Sequence, residues 1–299
     1  MEAGDASKTL RNVVNFRDVG AVANHLEKRR RFQTGRLYRS GRLDEASLDD
    51  QRKLAGDLKI ASVIDLRTKT ERLEQADKKG AKVNRSAAVP EPNDDAAKPL
   101  KIPSISYHEI NLNGWDYSRM IVAQLSWWEL FKLIFLMLIG RRLDAIKVLA
   151  PYMERMGLLG LARATLEYSK KELKQVFEVL ADDREWPLVV HCTQGKDRTG
   201  LIIMLILFLC DTPLATIEND YMTSNKELEA VRAEKLEEIA SIGLSEQFAD
   251  AHPDMVAHVY SLVQEKYGGI EEYLASAGVG RDMQRRVQKN CMSPEALQE

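Results

Sequence analysis

Residues 189–200 read VVHCTQGKDRTG, with a thiol at Cys192 and a guanidinium at Arg198 on one short stretch. Apolar residues lead into it, and a second apolar run, LIIMLILFLC, follows at 201–210. A cysteine this close to an arginine arises often by chance, and a free thiol is commonly a buried structural one. The context changes that reading. The pair spans a turn between an apolar strand and an apolar helix, with Gly195 inside the turn and Gly200 just after it. Such a turn can aim successive backbone N–H groups at one point, and the helix beyond adds its free N–H groups and positive end. An anion fits there. Thiols in such a field ionise readily, their pKa falling from about 8.5 to roughly 3.5–7.5 at helix N-termini or beside cations. Cys192 therefore reads as a thiolate nucleophile. Arg198 reads as a planar fork that binds two phosphate oxygens and meets transition-state charge.

A Walker-type nucleotide loop fails on spacing. It needs glycine where Val190 stands and a hydroxyl residue where Asp197 stands. Sulfur transfer on a rhodanese-like loop also uses a cysteine, but the Gly-Lys-Asp-Arg-Thr-Gly run argues against it.

The elements that must position these groups are legible in outline. PLVV (187–190) predicts the strand that enters the loop. FQTGRLYRS (32–40), KIASVIDLRT (59–68) and SISYHEINLNGWDY (104–117) supply further strands, the last ended by Asn-Gly. Residues 82–103, rich in Pro, Asp and Ala, read as a long surface connection. From 118 to 181 the character is helical, interrupted at Pro151, Gly157 and Gly160. Within it Leu166, Leu173, Val176, Phe177 and Leu180 share one helix face. Charged amphipathic helices follow near 214–240, 253–267 and 269–277. The pattern predicts one α/β domain with a helical excursion at 118–181.

Bulk properties exclude several function classes. The 299 residues carry a net charge of −2, which gives no basis for binding nucleic acid through bulk charge. Cys192, Cys210 and Cys291 are too scattered for a disulfide framework, and the five histidines are dispersed, so no metal or other cofactor is expected. A reducing, cytoplasmic setting fits. Residues 120–139 (MIVAQLSWWELFKLIFLMLI) have the length of a membrane span, yet Glu129 and Lys132 lie mid-segment. Each such charge costs roughly 2.5–3.5 kcal/mol at a helix centre. A buried or lid helix is expected instead, with a peripheral membrane contact left open.

The run HCTQGKDRTG resembles the signature of the cysteine-dependent tyrosine phosphatase superfamily, in particular its bacterial and fungal branch with Lys-Asp before the arginine. NVVNFRDVG (12–20), GRLYRSGRL (35–43), VIDLRTKTE (63–71), IENDYMTSN (217–225) and YGGIEEYLASAGV (267–279) agree in order. The resemblance spans about 11–285, which implies a single domain over those residues with tails at 1–10 and 286–299. It implies a central mixed sheet flanked by helices, with a helical lid at 118–181. It also implies that Cys192 attacks phosphorus to give a phosphocysteine, with Arg198 as clamp. The amides of 193–198 (Thr193, Gln194, Gly195, Lys196, Asp197, Arg198) would line the cradle. Thr199 would hydrogen-bond the thiolate, and His191 would orient the loop.

Two aspartates are candidate acids: Asp197 in the loop, which is favoured, and Asp116 in NGWDY. Trp186-Pro187 enters the catalytic strand and does not match the family's acid loop. Lys196, a second cation beside Arg198, suits a substrate with more than one phosphate. Lys28-Arg29-Arg30-Arg31 reads as a solvated hairpin face, and Arg17-Asp18, Arg39 and Asp65-Arg67 as scaffold ion pairs. Expected partners are phosphotyrosine proteins or phosphoinositides. A binding module without turnover is the reading from another class, disfavoured by the intact Cys192 and Arg198.

Overall fold

The computed structural model describes residues 10–78 and 101–298. The strands are β1 (Arg17–Asp18), β2 (Leu37–Ser40), β3 (Ser62–Asp65), β4 (Ser106–Glu109) and β5 (Leu188–His191), ordered β1-β2-β5-β3-β4. β1 runs antiparallel to β2, and the remaining pairs are parallel. β5 is central, with Val189 beside Tyr38 on one side and Val63 on the other. Successive residues point to opposite faces. Leu188 and Val190 join the larger core cluster, whereas Val189 joins a smaller one around Leu54, Phe16 and Ile60. A strand covered on both faces reads as an unbroken apolar run, as this one does.

The helices are α1 (Val19–Glu27), α2 (Leu48–Arg52), α3 (Lys69–Lys78), α4 (Trp115–Val122), α5 (Trp127–Leu138), α6 (Arg142–Tyr168), α7 (Lys170–Leu180), α8 (Asp197–Leu209), α9 (Leu214–Glu227), α10 (Arg232–Ser241), α11 (Met255–Tyr267), α12 (Ile270–Ser276) and α13 (Arg281–Cys291). α8 is buried along its length from Thr199 to Leu209, so an all-round apolar sequence is what its position requires.

Two expected boundaries change. Leu166, Leu173, Val176, Phe177 and Leu180 do share a face, but they belong to the main core. The excursion expected at 118–181 therefore excludes α7 and begins earlier, with α4. α6 bends at Gly157, whose φ of 60 interrupts its helical backbone. At the other end, 286–299 is not a tail. Val287 and Cys291 of α13 lie in the main core, and Met292 bridges to Phe32. The inward face of α13 also holds Gln284 and Asn290, which donate to backbone carbonyls, so no apolar stripe marked it. Residues 1–9 of the expected N-terminal tail, and the connection expected at 82–103 up to residue 100, lie outside the described residues.

Candidate active site

The loop 192–196 joins β5 to α8, and its backbone orientation follows from where its carbonyls go. The Cys192 carbonyl accepts from His191 Nδ1 at 3.1 Å, and that of Thr193 from the Arg42 amide at 3.0 Å. Asn15 Nδ2 donates to the carbonyls of Gln194 and Gly195, both at 3.0 Å. Arg39 Nη2 donates to Gly195 at 2.7 Å, and the Gly200 amide to Lys196 at 2.8 Å. Five consecutive carbonyls are thus held by the surrounding scaffold. Among the described residues, none of the amides from Thr193 to Arg198 has a protein acceptor. These donors remain for an anion, at the N-terminus of α8.

Gly195 permits this turn. Its φ is +68, and a Cβ there would sit 2.1 Å from the Ser40 carbonyl oxygen. Gly195→Ala should cost roughly 3 kcal/mol or more, because strain and a backbone collision add. Urea denaturation measures this; an unchanged midpoint would contradict the reading.

The scaffold behind the loop is ionic. Asp220 of α9 accepts from Arg17 Nε at 2.7 Å and pairs with Arg39 Nη1. The expected scaffold role of Arg17 and Arg39 thus has Asp220 as its acid, while Asp18 caps α1 instead. Arg67 pairs with Asp65, as expected, and also with Asp44. Burial works against the Asp220 charge, but Arg17 and Arg39 hold its pKa below the ordinary carboxylate value. Lys28, Arg29 and Arg30 are exposed, whereas Arg31 Nη1 donates to the Asp211 carbonyl at 2.8 Å, beyond the end of α8.

Cys192 is buried beneath the loop, and its electrostatic partners include Arg198 and Arg39. Thr199 is fully buried, and its hydroxyl has no partner among the described residues. His191 is buried behind the loop, a place that suits orienting the loop rather than touching substrate. Burial lowers its pKa, with Asp65 opposing, which favours a neutral ring donating Nδ1–H. Thr193, Gln194, Asp197 and Arg198 are the partly open positions at the mouth.

Lys196 requires a correction. It is fully buried, and its ammonium donates to the carbonyls of Phe248, Ala249 and Asp250 at 2.9, 2.9 and 2.8 Å. A lysine saturated by three carbonyls inside the body does not present its charge to substrate. Asp116 also lies apart from the loop's contacts: its described hydrogen-bond partner is Lys171 of α7, at 2.9 Å. The α4 residue coupled to Arg198 is its neighbour Tyr117, whose phenol burial pushes up to about 12, with Arg198 pulling it down in part. Asp197 stays partly open, with Tyr221 Oη at 3.5 Å from Oδ1.

Glu71 of α3 was not singled out from the sequence. Its Oε2 accepts from Arg198 Nη1 at 2.8 Å, and its Oε1 from Arg198 Nη2 and the Thr193 hydroxyl. Burial raises its pKa, but Arg198, then Thr193 and the Thr68 amide, bring it down to about 2. Both terminal nitrogens expected to grip two phosphate oxygens are thus taken by Glu71, and Arg198 Nε is left without a described partner. Thr68 and Glu71 form a reciprocal capping pair, legible as Thr-x-x-Glu, yet that spacing does not reveal the arginine. Lys235 of α10 is also new. It is 4% exposed and without a described partner, and its electrostatic neighbours include Lys196, Asp250 and Asp197. Burial, then Lys196, lowers its pKa to about 8.

A family model described as "Tyrosine phosphatase family" matches residues 8–293. A "Tyrosine-protein phosphatase" of Nostoc commune is 34% identical over 124 residues, 38% of this chain and 42% of the relative. A "Triple specificity protein phosphatase PtpB" of Mycobacterium tuberculosis is 27% identical over 134 residues, 40% of this chain and 48% of the relative. The alignments therefore span less than half the length of these curated relatives.

Proposed function

The chain belongs to the tyrosine phosphatase family, and from that premise we propose that it hydrolyses protein phosphotyrosine through a phosphocysteine on Cys192. The loop with its carbonyls held outward and its amides unpartnered, over a buried thiol, carries this reading. We also assign the chain to the branch whose loop carries Lys-Asp before the arginine, on the run HCTQGKDRTG.

In the first step the Cys192 thiolate attacks phosphorus, the bond to the phenolic oxygen breaks, and Asp197 gives that oxygen its proton. In the second, Asp197 takes a proton from water, which attacks phosphorus. The sulfur leaves as thiolate, hydrogen-bonded by the unpartnered Thr199 hydroxyl. The amides of 193–198 and Arg198 Nε hold the equatorial oxygens as charge develops. Asp197 is preferred over Asp116 because it lies in the loop itself; both carboxylates are partly open, and each has a lysine nearby, Lys196 at 3.7 Å and Lys171 at 2.9 Å.

Phosphoinositides are the second substrate reading. Lys196 no longer supports it, but Lys235 is a buried cation with no described hydrogen bond, and Asp250 and Asp197 are among its electrostatic neighbours. Turnover of phosphotyrosine peptides and of phosphoinositides should be compared in wild type and Lys235→Met. Phosphotyrosine should be the better substrate. Lys235→Met should lower phosphoinositide kcat/KM by about tenfold or more, the scale of one charge-assisted hydrogen bond, and leave peptide turnover nearly unchanged. That loss should fade as pH rises past about 8, where the wild-type amine also loses its charge. Better turnover of phosphoinositides than of every phosphotyrosine peptide would reverse the assignment. Equal losses on both substrates would remove Lys235 from substrate discrimination.

A further inference from the structure

α5 presents a whole face without a partner. Trp127, Trp128, Phe131, Ile134, Phe135 and Leu138 follow i, i+1, i+4, i+7, i+8, i+11 spacing along one side. Trp127, Trp128 and Leu138 are 88%, 82% and 81% exposed, and Phe131 is 64% exposed. The opposite side packs Leu136 against Ala145 and Val148 of α6. The helix is anchored in that orientation: Ser126 and Glu129 cap it reciprocally, and Tyr152 of α6 donates to Glu129 at 2.6 Å. Scattered exposed apolar residues are ordinary, but a contiguous patch marks an interaction surface.

Size and charge decide what the surface takes. A 12-residue helix is about 18 Å long, so its face offers far less than the roughly 800 Å² per partner of a standard protein interface. The intervening stretch 79–100 contains no aromatic residue, and its large apolar residues are Val83, Val89 and Leu100, a poor match for six bulky side chains. A bilayer needs no shape match. Lys132, Arg141 and Lys147 line one groove between α5 and α6 around Asp144, which pairs with Arg141 at 2.7 Å and Lys147 at 3.6 Å, so the groove keeps a net positive charge. Residues 115–147 hold five basic side chains against three acidic ones, while the whole chain has net charge −2.

Aromatic residues at one end of an apolar face, with cations on its flank, fit the headgroup–acyl boundary of an anionic membrane. We propose that α5 docks flat on an anionic lipid surface, inserting Trp127, Trp128, Phe131, Ile134, Phe135 and Leu138 and setting Lys132, Arg141 and Lys147 against headgroup phosphates. No helix among the described residues is long and apolar enough to cross a membrane, and docking requires none.

Flotation with vesicles of phosphatidylcholine mixed with phosphatidylserine, against phosphatidylcholine alone, tests this without reference to catalysis. The full chain should float with the anionic vesicles and much less with the neutral ones. Trp128→Glu with Phe131→Glu should weaken partitioning by about a hundredfold, since two large apolar side chains no longer leave water. Lys132→Glu should weaken it about fivefold or more. The melting temperature of each variant, and its turnover of a soluble aryl phosphate, should match wild type. No flotation, or flotation unaffected by the paired substitution, would overturn the proposal. Equal flotation on both vesicles would overturn its anionic part. Concentration-dependent self-association without lipid, abolished by the same substitutions, would give the face to a second copy of the chain.

Discussion

Cys192→Ser should lose turnover of an aryl phosphate by about 10⁴–10⁶-fold, the scale of removing an enzymatic nucleophile. It should still bind inorganic phosphate. A serine hydroxyl is scarcely ionised at neutral pH, so attack on phosphorus fails. The anion site, however, is made by groups the substitution does not touch. Asn15, Arg39 and Arg42 still hold the loop carbonyls outward, and Arg198 stays anchored on Glu71. Steady-state kinetics and calorimetric titration with phosphate give the two readings. Loss of binding together with turnover would mean that the thiol shapes the loop. Retention of turnover would remove Cys192 from the chemistry.

Arg198→Lys should reduce kcat/KM by about 10³-fold, because an ammonium keeps the charge but loses the planar fork. Glu71 takes both terminal nitrogens of this guanidinium and leaves Nε, and one amine cannot serve Glu71 and a phosphate together. The substitution also has a pH signature. The folded-state pKa of Glu71 lies at about 2 against an ordinary 4.5, so the pair stabilises the wild type fully above about 4.5 and less as pH falls toward 2. With the two-pronged contact broken, that contribution shrinks. The stability difference between variant and wild type should therefore be largest above about pH 5 and narrow on acidification. Parallel urea midpoints from pH 7 to pH 3 measure it. A gap independent of pH would show that Glu71 does not depend on Arg198 for its ionisation.

The proposed nucleophile and clamp, and the elements around them, each carry a local signal in the sequence. An unbroken apolar run marks a central strand, and an all-apolar helix marks a buried one. Gly195 marks the turn where backbone amides must face inward. The groups that hold the loop were less visible. Asn15, Arg17, Arg39 and Asp220 lie far apart in sequence and meet only once β1, β2 and α9 are assembled. Glu71 carries a helix-capping signal that conceals its contact with Arg198. Lys196 shows how adjacency misleads. One residue from Asp197 and two from Arg198, it turns into the body, with its ammonium on the 248–250 carbonyls and 3.7 Å from Asp197 Oδ1.

The most direct measurement is to trap the intermediate. The protein should be mixed with a phosphotyrosine peptide, quenched within one turnover, digested and sequenced by mass spectrometry. The predicted result is one added phosphoryl group on Cys192, present in wild type and absent in Cys192→Ser. Turnover without phosphate on Cys192, or with phosphate on another side chain, would contradict the account.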